Sequence, residues 1–178
     1  SADDSVAVVK EQYPEIRLLE LPENLGFAGG CNHGVECSTG TYVLILNNDT
    51  THEPGWIEPL VRMLESDKQI SAVQPKILNS HHRDTFDYAG ASGGYMDMFC
   101  FPFTRGRIFD ELEKDTGQYD DSVEVFWASG TAFLTRRSLF LETDGFDKDL
   151  FAHMEEIDYH WKCRLMGYRV MVEPSSVI

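Results

Sequence analysis

Short apolar runs alternate along this chain with segments whose apolar residues recur every three or four positions. Tyr42-Val43-Leu44-Ile45-Leu46 is a continuous apolar run, the pattern of a buried strand. Residues 70–78 and 168–173 read as strands in the same way, and residues 16–21 predict a further one. Helical spacing covers residues 3–13, with Val6, Val9 and Tyr13 ahead of Pro14. A second helix is predicted over 27–37, weakened by Gly29, Gly30 and Gly34, and a third over 56–64, where Trp56, Leu60 and Leu64 recur at fourfold spacing. Strand, helix, strand, helix in alternation predicts one α/β domain with a largely parallel sheet flanked by helices.

The second half is less regular. Residues 89–94 carry a small-residue loop signal, and residues 95–103 are aromatic-rich, a strand or part of a binding wall. Residues 110–121 hold six acids and one lysine, the composition of a solvated or mobile segment. Short strands are predicted over 123–128 and 131–135 around Ser129-Gly130. The last helix is predicted over 155–166, closed by Gly167. Its apolar stripe reads as Ile157, Trp161 and Leu165.

Composition narrows the function classes. The chain has 178 residues, 42% of them hydrophobic, enough for one domain with a core. A formal charge of −15 opposes a nucleic-acid surface. No apolar run reaches membrane-spanning length, and no signal-peptide pattern opens the chain. Cys31, Cys37, Cys100 and Cys163 form no CxxC pair, which fits a reducing cytoplasm. Cys31, His33 and Cys37 are near neighbours, but on a helix the two cysteines stand about 240° apart. Buried free thiols are the simpler reading.

Four segments carry candidate chemistry. The apolar run at 42–46 ends in Asn47-Asn48-Asp49, an acidic tip at a strand end, where α/β sheets place ligands. A hard cation such as Mg2+ or Mn2+ takes oxygen ligands, and one carboxylate plus phosphate oxygens suffices. Asp49 would be that carboxylate, although a turn-capping acid gives the same local pattern. Asn24-Leu25-Gly26-Phe27-Ala28-Gly29-Gly30 followed by Asn32 and Gly34 would let phosphate approach a helix start, or simply permit tight packing. Trp127-Ala128-Ser129-Gly130-Thr131 is a small-residue loop between strands, equally readable as a hairpin turn. Glu155, Glu156 and Asp158 crowd one helical first turn, where acids also complement the helix dipole. Glu155 is placed opposite the apolar stripe, and Glu156 and Asp158 about 160° apart on its flanks. The three acids therefore divide their roles, and periodicity does not choose which one takes a proton.

Taken in order, these segments resemble glycosyltransferase family 2. Ser1-Ala2-Asp3-Asp4-Ser5 is similar to the end of the family's N-x-S-x-D-x-S segment, and Asn24-Leu25-Gly26-Phe27-Ala28 with Asn32 and Gly34 to its N-x-G-F-a…N-x-G stretch. Asn47-Asn48-Asp49 looks like its form of the D-x-D motif. Ser129-Gly130-Thr131-Ala132-Phe133-Leu134, Gly145-Phe146-Asp147 with Phe151, and Glu155-Glu156-Ile157-Asp158 with Arg164 complete the match. The look is closest to the rhamnosyltransferase-like bacterial enzymes of surface-polysaccharide and cell-envelope synthesis.

The resemblance implies a GT-A fold and inverting transfer from a nucleotide-diphosphate sugar, dTDP- or UDP-linked, to a hydroxyl of a glycan or lipid-linked acceptor. It implies Mg2+ or Mn2+ on Asp49. Asn24, Gly26, Phe27, Asn32, Asn47, Asn48 and Asp49 would bind the nucleotide sugar, and Trp127, Ser129 and Gly130 would line the acceptor side. Glu156 falls where the family usually has its catalytic Asp, with Asp158 the second choice and Glu155 beside them. Two departures stand out. The family's first strand-helix-strand has no counterpart ahead of Ser1, and its histidine after the last strand would fall past Ile178. The chain is therefore expected to be a single glycosyltransferase domain truncated at both ends, and weakly active or inactive alone. It would be cytoplasmic, with peripheral contact at the inner membrane face. Rival readings are a sugar nucleotidyltransferase of related fold and a non-catalytic carbohydrate-binding module.

Overall fold

A computed structural model describes residues 3–178; Ser1 and Ala2, which open the first resembling segment, lie outside the described residues. Helix α1 (Ser5–Gln12) buries none of its residues. Residues 16–21 run as irregular chain rather than the expected strand. Ile16 and Leu19 stay 54% and 38% exposed, and no ladder pairs this segment among the described residues. Apolar side chains without a neighbouring strand do not make a strand.

Helix α2 (Gly26–Cys37) starts where Asn24 Oδ1 accepts the Gly26 amide at 2.9 Å. It is followed by β1 (Tyr42–Leu46), α3 (Ile57–Ser66) and β2 (Ile70–Lys76), as the periodicity predicts. All seven residues of β2 are buried. A meander of short strands comes next: β3 (Gly94–Met96), β4 (Pro102–Thr104), β5 (Arg107–Ile108) and β6 (Glu111–Leu112). Then come β7 (Val123–Val125), β8 (Ala132–Arg136), α4 (Arg137–Glu142), α5 (Glu155–Leu165) and β9 (Arg169–Val177).

The central sheet has the order β1-β8-β2-β9-β7. It is mixed, not largely parallel. β2 and β9 pair in parallel, whereas β8 pairs antiparallel with both β1 and β2, and β7 antiparallel with β9. The strand–helix alternation of the first half implies that β1 and β2 are direct neighbours. A strand from the second half of the chain enters between them instead. β8 can serve both sides because its residues alternate. Phe133 faces the aromatic layer under α2, α4 and α5, and Leu134 faces the layer under α3 with Trp56, Leu60 and Leu64.

Helix α5 turns a different face inward from the one its apolar residues predict. Of the expected stripe, Ile157 is buried, but Trp161 and Leu165 are 37% and 79% exposed, while Glu155, Tyr159, His160 and Cys163 are buried. Tyr159 decides this. Its ring packs with Phe133, Phe140 and Phe146, and its hydroxyl hydrogen-bonds Thr135 Oγ1 at 2.6 Å. One turn earlier on that face stands Glu155, so it points inward and not away from the core. The acidic stretch at 110–121 is not a free segment either. It supplies β6, and Lys76 ties it to the main sheet through Asp115 (2.8 Å) and Asp120.

Candidate active site

The tip of β1 opens into a cavity of about 210 Å3 lined by Asn47, Asp49, Thr50, Asp87 and Thr131 among others. The Asn47 amide donates to Thr131 O at 2.9 Å, and Thr50 Oγ1 donates to Asn47 O at 3.0 Å, which fixes the turn. Asp49 is exposed and forms no ion pair among the described residues, so its carboxylate is free to meet a ligand. Asn48 is exposed and does not line the cavity. Asp87 was not among the residues the sequence singles out. It reaches the cavity from the loop after β2, with its Oδ1 accepting the Ala89 amide at 2.8 Å. The oxygen donors here suit a hard cation. Among the described residues no group of three or more His, Cys, Asp or Glu gathers round one point. Asp49 would thus share an ion with phosphate oxygens.

The loop Ser129-Gly130-Thr131 lies between this cavity and Glu155 of α5. Thr131 lines the cavity. Gly130 lies on the other side, where a Cβ would stand 3.5 Å from the Phe27 ring and 3.9 Å from Glu155 Oε1. The loop is pinned from beneath. Fully buried Gln74 accepts the Ser129 amide at 2.6 Å and donates to Gly90 O at 3.0 Å. Ser129 Oγ donates to Ala89 O at 2.8 Å and accepts the Thr131 amide at 3.1 Å. A glutamine in the middle of a predicted buried strand is the available signal for this strut, because a buried amide needs partners.

The acids of α5 have different surroundings. Glu155 is only 4% exposed, and its Oε2 has no hydrogen-bond partner. Its negative charge adds to the burial that pushes the Cys31 thiol up to about 11. Glu156 is half-buried. Burial raises its carboxyl above the ordinary glutamate value; the backbone amides of Glu156 and Ile157 and the charge of His153 oppose the rise, and Glu155 adds to it. Asp158 is engaged by Lys162 at 2.7 Å along the helix. The chain enters α5 through Phe151, His153 and Met154, all with left-handed φ of 54°, 73° and 73°. Such strain in non-glycine residues concentrates at functional sites. Phe151 O accepts the Ala28 amide at 3.2 Å, and a Cβ on Gly26 (φ 70°) would lie 2.6 Å from that oxygen. The α5 entry and the start of α2 are therefore packed together.

Other residues singled out by sequence do structural work. Asn32 is buried; its Nδ2 donates to Phe146 O at 2.8 Å and its Oδ1 accepts the Phe146 amide at 2.9 Å. It clamps the Gly145-Phe146-Asp147 turn to α2. Phe27 stacks on Phe146 with centroids 6.0 Å apart. Asn24 and Gly26 line a separate groove beside α1. Trp127 is 6% exposed, with Nε1 donating to Tyr95 O at 2.9 Å, and its ring lies flat against Gly94.

The model of glycosyl transferase family 2 matches residues 1–143 of the chain. An N-acetylglucosaminyl-diphospho-decaprenol L-rhamnosyltransferase of Mycobacterium tuberculosis is 24% identical over 192 residues, covering 100% of this chain and 62% of that protein. The rhamnosyltransferase WbbL of Escherichia coli is 26% identical over 134 residues, covering 75% of this chain and 50% of that protein. The chain thus spans less than two thirds of these relatives. Among solved structures, GalNAc-T7 with UDP, GalNAc and Mn2+ superposes with a TM-score of 0.73 at 16% identity, covering 99% of this chain and 34% of that one. The mannosyltransferase PcManGT of Pyrobaculum calidifontis, in complex with GDP-Man and Mn2+, gives 0.66 at 19% identity, covering 99% and 44%. The fold is that of the GT-A glycosyltransferases, and the chain belongs to glycosyl transferase family 2.

Proposed function

We propose that this chain forms the donor and catalytic part of an inverting glycosyltransferase. It would move a sugar from a dTDP- or UDP-linked donor to a hydroxyl of a lipid-linked or glycan acceptor. The observation that carries this is the Ser129-Gly130-Thr131 loop, with the Asp49 cavity on one side and Glu155, at the start of the acidic first turn of α5, on the other. An inverting displacement needs that division: a leaving diphosphate on one side, and a base for the attacking hydroxyl on the other.

Asp49 would hold Mg2+ or Mn2+ together with the diphosphate, with Asn47 and Asp87 as further oxygen donors in the cavity. When bound, the ion stabilises the negative charge that develops on the departing diphosphate. Glu156 is assigned the base. Its raised carboxyl pKa brings proton affinity closer to that of a useful general base, whereas Asp158 is engaged by Lys162. Glu155, buried beside Gly130, is assigned to orient the acceptor side. The acceptor class follows the decaprenol-linked relative, and with it a place at the cytoplasmic membrane face. No helix among the described residues is long and apolar enough to cross a membrane.

Calorimetry with UDP, dTDP and GDP, with and without Mn2+, tests the reading. Binding should require the metal and weaken at least tenfold in Asp49→Ala. Equal affinity without metal, or in Asp49→Ala, would refute it.

A further inference from the structure

The β3–β6 meander presents an apolar surface at one end. β3 and β4, β4 and β5, and β5 and β6 all pair antiparallel. The turns at 97–101 and 109–110 therefore lie at the same end of this small sheet. The side chains there are Met98 (86% exposed), Phe99 (73%), Phe101 (70%), Ile108 (65%) and Phe109 (90%). At about 200 Å2 for each large side chain they expose roughly 700 Å2 of apolar surface, more than a monomer ordinarily leaves in one patch.

Turn chemistry makes this choice of residues costly. Cys100 and Phe109 occupy left-handed positions, φ 65° and 53°, that glycine or asparagine would fill with less strain. Asp97 is turned inward, with Oδ1 accepting the Phe99 and Phe101 amides at 2.8 and 2.9 Å, so the first tip is held in shape. The opposite end of the meander is anchored to the body: the Arg105 amide donates to Gly93 O at 3.0 Å, and Gly106 packs on the Phe86 ring.

We propose that these two tips insert into the outer part of a lipid bilayer and hold the active site over a membrane-borne acceptor. This rests on the lipid-linked acceptor reading and names the surface that would serve it. Two narrow convex turns, each joining strands of only two or three residues, offer no flat face to a second copy. They do suit shallow insertion of about 5–10 Å. β3 begins at Gly94, against the Trp127 ring that leads into the Ser129 loop. β3 ends at Met96 and the chain then turns, so Met98 stands at most about 13 Å beyond that contact. With the tips inserted, the loop would sit just above the head groups. The attraction is apolar, because Asp97, Asp110 and Glu111 lie near the tips and no unpaired cluster of basic residues does.

Sedimentation of the 178-residue chain with phosphatidylcholine vesicles, with and without phosphatidylglycerol, tests the proposal. The chain should bind phosphatidylcholine vesicles and, at low salt, bind less well when phosphatidylglycerol is added, because its charge of −15 is repelled by anionic lipid. Adding ~0.5 M NaCl should leave the first in place and narrow the difference, since salt screens charge and not apolar insertion. Phe99→Asp with Phe109→Asp should lower partitioning at least tenfold, at an unchanged melting temperature because both side chains are exposed. Should that pair unfold, Phe109→Ser alone is expected to weaken binding measurably. No binding by the unaltered chain, equal binding by folded variants, or a dimer that the substitutions dissociate while vesicles are ignored would overturn the proposal. Vesicle binding is read without a sugar donor. Its failure would leave metal-dependent nucleotide binding standing, and failure of nucleotide binding would not alter the vesicle result.

Discussion

Glu156 has two neighbours of opposite effect: Glu155 raises its carboxyl pKa and His153 lowers it, both secondary to burial. A group that must be deprotonated to work gains activity as pH rises through its own pKa. The raised value therefore shifts the acid limb of the rate profile above that of an ordinary glutamate. Measured on the full-length protein, Glu156→Gln should cut turnover by roughly 10²–10⁴-fold, leave nucleotide affinity within about twofold, and abolish that limb. Glu156→Asp should retain a limb at reduced rate. If Glu156→Gln keeps full turnover, the base lies elsewhere. The same raised pKa acts on stability. The folded state holds this proton more tightly than the unfolded one, so Glu156 lowers stability as pH rises through its folded pKa.

Among the elements, the acidic strap at 110–121 shows most plainly how one buried side chain organises a segment. Burial pushes the Lys76 ammonium down, but its bonds to Asp115 and Asp120 outweigh that and raise its pKa. Burial likewise pushes Asp115 up, while the hydrogen bonds from Lys76 and the Gly117 amide hold it below its usual 3.8. The contribution of Asp115 is present above that value and is lost as pH falls through its depressed folded pKa. That of Lys76 is lost only as pH rises through its raised one. Lys76→Met leaves Asp115 without its cation in a site of 15% exposure and should cost about 2 kcal/mol in urea unfolding. A loss below about 0.5 kcal/mol would mean that the strap is held by Tyr119 on Phe86 instead.

The same scale explains what could be read from sequence. β1, α3 and β2 follow hydrophobic period closely because each buries a regular face. Residues 16–21 have the composition of a strand but no neighbour to pair with. In α5 only Ile157 of the visible stripe is buried, Trp161 and Leu165 face solvent, and the aromatic partners that recruit Tyr159 come from β8 and α4, far away in sequence. The meander has strands of two or three residues and tips without glycine, so neither period nor turn chemistry announces it. In the candidate site, Asp49 stands out as an acid at the tip of a buried strand and the α5 acids as a local cluster. Asp87 and Gln74 do not, since their importance comes only from the loop packed over them.

For the whole molecule the dominant quantity is charge. Thirty acids against fifteen basic residues repel one another in the compact state more than in the expanded one. Raising NaCl from low concentration to ~0.5 M shortens the screening length to a few ångströms and should raise the melting temperature. A melting temperature that falls with salt would show that ion pairs such as Lys76–Asp115 outweigh the net repulsion.

The contact between Trp127 and Gly94 has an optical consequence. The chain has three tryptophans. Trp161 is partly in water, and Trp56 is stacked on His52 at 4.9 Å. Trp127 alone is sealed by the backbone of the meander, with its indole N–H bonded to Tyr95. Its emission should be blue-shifted and insensitive to quenchers while the meander is seated, and should redden when that small sheet lifts. The protein thus carries a built-in fluorophore at the junction between its aromatic tips and the Ser129-Gly130-Thr131 loop.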